Sequence, residues 1–161
     1  MVDKPILERN FNENINLEEK LKEGAILSRL FIEAQSNDLE SAKKALEKTV
    51  FQSLATEKNV YLLNVKFYEI KKSSEGVFSG IIEIKALFRD FRCFVNVVMR
   101  YGPSAIEIIK PEEYKLNLEE MQSLISDVSE ISQSLASHII AMLKDNERRA
   151  LYIKSLSEEK K

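Results

Sequence analysis

The fifty residues that follow Pro111 contain neither glycine nor proline, and no other property of this chain limits its fold as strongly. A stretch without a breaker, carrying apolar residues at helical spacing, predicts one long helix. Met121, Leu124, Val128, Ile131, Leu135 and Met142 follow one another in threes and fours, with His138 in the remaining seat of the heptad. Ile125, Ile139, Ile140 and Leu143 widen that stripe beyond a narrow coiled-coil seam. Asn117, with Glu120 three positions on, has the form of a capping box and sets the start. The helix is expected to run to about Lys144, with Asp145-Asn146 interrupting before a short basic-tinged helix over ERRALYIKSL.

Upstream, the periodicity changes from 3.6 to 2. Ala25–Gln35 places Ile26, Leu30, Ile32 and Ala34 on one side and Arg29 and Glu33 on the other, the pattern of a strand. Ser36-Asn37-Asp38 offers capping oxygens, and a helix to about Ala55 would bury Leu39, Ala42, Leu46, Val50 and Leu54. Val60–Ile70 sets Tyr61, Leu63, Val65 and Phe67 against Asn64, Lys66 and Tyr68. After a turn at Lys71–Gly76, Val77–Phe88 alternates again. Arg89-Asp90 reads as a hairpin turn, and Phe91–Tyr101 as a strand with Cys93, Val95 and Val97 on the core face. Gly102-Pro103-Ser104 breaks the run and Ala105–Ile109 makes a last short strand. The expectation is an α+β domain over residues 24–161. It has an antiparallel sheet of about five strands in the order β-α-β-β-β-β-α, four of them a meander, and the long C-terminal helix packs on the sheet. Residues 1–23 are expected to form an N-terminal arm, frayed in part, or a short helix at Leu17–Lys22.

Length and composition agree with a self-sufficient fold. A chain of 161 residues buries about two-thirds of its unfolded surface, and 44% apolar with 31% charged residues suits a normal core under a charged surface. The single cysteine, Cys93, allows no internal disulfide and favours a reducing compartment. The opening MVDKPILERNF lacks the apolar core of a signal peptide, and no apolar run approaches the ~20 residues a membrane span needs. A soluble, cytoplasmic protein is expected.

Chemistry-bearing patterns are sparse. His138 faces the apolar stripe without an evident partner, and Cys93 falls on the predicted core face, where a thiol is a small apolar group rather than a nucleophile. One His and one Cys make no zinc site, and no acidic spacing resembles a calcium loop. Glycines at 24, 76, 80 and 102 write no phosphate-cradling motif. No cofactor and no metal are expected.

Two surfaces remain. Lys66, Lys85, Arg92, Phe94 and Arg100 share the predicted outer sheet face, and cations interleaved with aromatics suit single-stranded RNA. The run RCFVNV (residues 92–97) resembles the aromatic strand of RNA-recognition domains, although it lacks both glycines of that motif. Glu83 on the same face dilutes its positive potential, and the net charge of −2 gives no global attraction to nucleic acid. The long helix offers the other surface, a homo-oligomer interface centred on Val128, Leu135, His138 and Met142. A non-enzymatic assembly module that pairs with itself is the leading expectation. A ligand pocket around Tyr101, Ser104 and His138 is the third.

Overall fold

A computed structural model describes residues 4–143 and 145–158. The chain divides into two compact units, Met1–Asn117 and Leu118–Lys161. The protein is α+β, and its first unit carries a six-stranded antiparallel sheet.

In order, the first unit contains β1 (Leu7–Asn10), α1 (Leu17–Lys22), β2 (Ile26–Ser36), α2 (Leu39–Lys48), β3 (Val60–Phe67), β4 (Lys71–Lys72), β5 (Phe78–Phe88), α3 (Phe91–Tyr101) and β6 (Ala105–Lys110). The strands lie side by side as β1-β3-β5-β2-β6, with the two-residue β4 beside the start of β5. Because β2 and β3 both run antiparallel to β5, they are parallel to each other, and α2 is the crossover between them. By the same reasoning α3 crosses from β5 to β6 around β2. The expected meander is therefore replaced by a β-α-β-β-α-β core of the split, ferredoxin-like kind.

The difference comes from residues 91–101, which form a helix and not a strand. Asp90 accepts from the Cys93 backbone N–H at 2.8 Å as N-cap. At the other end Gly102, at φ 55°, returns its N–H to the Val98 carbonyl. Phe91, Phe94, Val97, Val98 and Tyr101 recur every three or four residues and turn one face of α3 to the core, where Phe94 and Val97 are buried. Arg89-Asp90 is thus a helix entry, and Gly102 a helix exit.

One face of the sheet holds the main core. Ile26, Leu30 and Ile32 of β2 and Ile82, Ile84 and Phe88 of β5 meet Leu46, Val50 and Leu54 beyond them, together with Phe94 and Val97 of α3. After Lys48 the α2 segment continues irregularly, widening to a π turn at Thr49–Ser53 and tightening to a 3-10 turn at Leu54–Thr56, and it keeps Val50 and Leu54 inward. Asp38, rather than Asn37, caps α2 by accepting from Glu40 and Ser41. Gly80 lets α2 approach β5. A Cβ there would stand 2.8 Å from Leu46 Cδ1 and 2.9 Å from Ile70 Cγ1.

β3 carries a bulge at Leu63: Leu62 opposes Ala86, and Asn64 opposes Lys85. The extra residue shifts the alternation, so Val60 and Leu62 share the core face with Val65 and Phe67. Tyr61 and Leu63, expected beside Val65, point the other way, into a smaller apolar cluster. There Ala25, Leu27 and Leu87 pack under Leu17 and Leu21 of α1. The arm of residues 1–23 supplies both that helix and an edge strand, β1, whose Leu7 pairs with Phe67.

The second unit comprises α4 (Leu118–Met142) and α5 (Asp145–Glu158). No described helix is long and apolar enough to cross a membrane.

Candidate interaction surfaces

The five residues expected to make one basic-aromatic face fall on two sides of the first unit. Lys66 and Lys85 remain on the outer sheet face. Arg92, Phe94 and Arg100 moved with α3, and Phe94 is 4% exposed within the core. An 11-residue segment read with period 2 instead of 3.6 accounts for the whole displacement.

On the outer sheet face the dominant feature is Glu83 of β5, only 9% exposed. Tyr68 donates its hydroxyl hydrogen to Glu83 at 2.7 Å. Lys66 Nζ lies 3.4 Å from the same carboxylate, and Arg29 Nε 3.0 Å from it. Arg29 Nε makes that ion pair without the alignment of a hydrogen bond, while Nη1 of the same guanidinium pairs with Glu107 of β6. Burial acts to raise the Glu83 pKa, but the Tyr68 hydroxyl, Lys66 and Arg29 outweigh it and hold the carboxyl below its ordinary range. The Tyr68 phenol is pushed up to about 12, first by its hydrogen bond to Glu83 and then by burial.

Hollows of about 510 Å³ and 370 Å³ flank this cluster, and Glu83 lines both. The larger is electrically balanced, with Arg29, Lys66 and Lys85 facing Glu8, Glu13 and Glu83. Phe31, Tyr68 and Ile81 line the smaller. Because Arg29 and Lys66 are committed to carboxylates, this face offers little net attraction to a polyphosphate backbone.

Arg92 and Arg100 line a third hollow, about 280 Å³, beside Lys58, Arg89 and Cys93. Two of its cations are matched. Arg89 pairs with Asp90 at 2.8 Å, and Arg100 pairs with Glu57. Burial pushes the Cys93 thiol up, and its Sγ lies 3.6 Å from the Asn59 carbonyl. Among the described residues no three His, Cys, Asp or Glu side chains are grouped as metal ligands.

Of the three residues proposed for a pocket, Tyr101 donates to Glu57 at 2.9 Å and Ser104 donates to the Phe31 carbonyl at 3.2 Å. Burial first, then the Glu57 contact, raises the Tyr101 phenol to about 12. His138 belongs to the second unit, where its Nδ1–H donates to the Ser134 carbonyl one turn back at 2.8 Å.

That second unit carries the other surface. None of the 25 residues of α4 is buried. Leu135 is 53% exposed, Ile139 58%, Ile125 69% and Met142 82%, all on or beside the heptad stripe. Val128 is half-buried and His138 exposed. The four residues expected at an oligomer interface therefore share one helix face.

No curated protein and no solved structure matches this sequence. A family match does extend over residues 28–154, through both units and excluding β1, α1 and the start of β2. The α4 stripe thus lies within the region that defines the group, and the chain belongs to the MJ0538 family.

Proposed function

We propose that this protein is a non-enzymatic assembly module of the cytoplasm that associates with a second copy of itself through α4. The observation that carries the reading is a 25-residue helix with no buried residue and a continuous heptad seam. Met121, Leu124, Val128, Ile131, Leu135, His138 and Met142 occupy successive a and d positions over three heptads. Such a seam is self-complementary, because each knob fits the hole that an identical helix presents. Exposed apolar residues arranged this way also cost solubility unless they are covered. The first unit supports the non-catalytic half of the reading: its most buried carboxylate, Glu83, is saturated by Tyr68, Lys66 and Arg29.

Sedimentation velocity over a range of micromolar concentrations tests the proposal. The protein is expected to sediment as a dimer or larger species. Leu135→Asp places a charge in the seam and is expected to give a monomer with an unchanged urea midpoint for the first unit. A wild-type protein that stays monomeric throughout that range would overturn the proposal.

A further inference from the structure

Resting on self-association through α4, we infer that the two copies of the helix pair antiparallel, with Glu120 of each facing the Arg148 end of the other. The charges of α4 are all of one sign. Leu118–Met142 contains Glu119, Glu120, Asp127 and Glu130 but no Lys or Arg, whereas in α5 Arg148, Arg149 and Lys154 balance Asp145, Glu147 and Glu158. Arg148 is held at the C-terminal end of α4. Its Nη2 donates to the Ala141 carbonyl at 2.8 Å, and its Nη1 lies 3.4 Å from Asp145.

Orientation follows from where these charges meet. A parallel pair sets Glu120 beside Glu120 and Asp127 beside Asp127, and aligns the two helix dipoles, each of which is unfavourable. An antiparallel pair opposes the dipoles and brings unlike charges together. Antiparallel seams pack a positions against d positions. One such register sets Leu124 against Leu135, Val128 against Ile131, and Met121 against His138 of the other copy. In that register Glu120 stands level with Ile139, just before Ala141, whose carbonyl anchors the Arg148 guanidinium. His138, the one polar side chain of the seam, then takes an end layer beside Glu120 instead of the middle.

Cysteine cross-linking tests the orientation, in a Cys93→Ser background that removes the only native thiol. In an antiparallel pair the two copies of residue 124 lie about 16 Å apart along the axis, at 1.5 Å per residue, too far for a disulfide. Leu124→Cys alone and Leu135→Cys alone are expected to give no disulfide-linked dimer, and an equimolar mixture of the two is expected to give one. Self-linking by either single variant overturns the antiparallel arrangement. Sedimentation of the Cys93→Ser protein separates the two possible failures. A monomer overturns self-association and orientation together, and a dimer whose single variants self-link overturns orientation alone. A charge exchange supplies a second reading: Glu120→Lys and Arg148→Glu are each expected to weaken dimerisation several-fold, and the double variant to recover it. Failure of the double variant to recover counts against the proposed register.

Discussion

Tyr68 donates to Glu83 at 2.7 Å across the outer face of the sheet, and this bond joins the end of β3 to the middle of β5. A hydrogen bond to an ionised acceptor is stronger than a neutral one. Tyr68→Phe is expected to cost about 1 to 2 kcal/mol in urea unfolding. Glu83→Gln keeps an acceptor for the phenol but leaves Arg29 and Lys66 without their shared charge. Its cost should be larger, about 2 to 3 kcal/mol after allowance for partial solvent access. Equal costs for the two variants would show that the carboxylate charge contributes nothing beyond the hydrogen bond.

The same pair fixes the pH response. The folded Glu83 carboxyl titrates below its ordinary value of 4.5, so its contribution is complete above that value and disappears as pH falls through the lower, folded one. Tyr68 and Tyr101 behave in the opposite sense. Their folded values are raised from 10.0 to about 12, so stability is fully present below pH 10 and is lost as pH rises towards 12. Denaturant midpoints taken at about pH 9 and pH 11.5 should fall for the wild type and fall less for a Tyr68→Phe, Tyr101→Phe protein.

The two ends of α3 are separately testable. Asp90→Ala removes the acceptor for the Cys93 N–H and is expected to cost about 1 kcal/mol. Gly102→Ala forces a side chain to φ 55° and should cost about as much, although space around the position is open. Thermal melts of both variants against the wild type provide the comparison; an unchanged melting temperature in either removes the corresponding cap from the account of α3.

Cys93 is half-buried with its thiol pushed up by burial, so it should react with a disulfide reagent at neutral pH roughly tenfold more slowly than free glutathione. Rapid, stoichiometric modification of the native protein would show that α3 opens readily.

His138 is the polar residue of an otherwise apolar seam. Replacing it with Leu removes a buried polar group from the interface and should tighten self-association by about tenfold, read as a shift of the sedimentation isotherm to lower concentration.

Strong single-period signals carried the sequence reading where they existed. The α4 stripe and the alternation of β2 and β5 stand where periodicity placed them. Segment 91–101 satisfied two periods at once. Phe91, Cys93, Val95 and Val97 alternate, while Phe91, Phe94, Val98 and Tyr101 recur every three or four residues, and three valines favour a strand locally. The deciding information lay at the ends, in Asp90 and Gly102, which as N-cap and C′ residues belong together only for a helix. The Leu63 bulge left no mark in composition, because an inserted residue in a strand looks like any other apolar residue until its partner strand is known. β1 was illegible for a related reason: its four residues, Leu7–Asn10, are all exposed and gain strand geometry only from pairing with β3. The sequence put Glu83 on the same face as Lys66, but its ion pairs were not legible, because Arg29 of β2 and Glu107 of β6 come from strands whose order periodicity does not reveal.

The split strand order also governs how the chain can be made. β2 is the first long strand to be synthesised, yet it belongs in the interior of the sheet, between β5 and β6. Its eleven residues acquire one set of partners only when Phe78–Phe88 has been made, and the other only when Ser28 can meet Ile108. Contacts so distant in sequence form slowly. α4 and α5, whose hydrogen bonds reach only four residues back, form as fast as they are extruded. A chain released from the ribosome before Lys110 would therefore leave one edge of β2 bare, an apolar template on which a second nascent chain can add. Between completion of α3 and arrival of β6, one edge of β2 stays open to pairing with another chain.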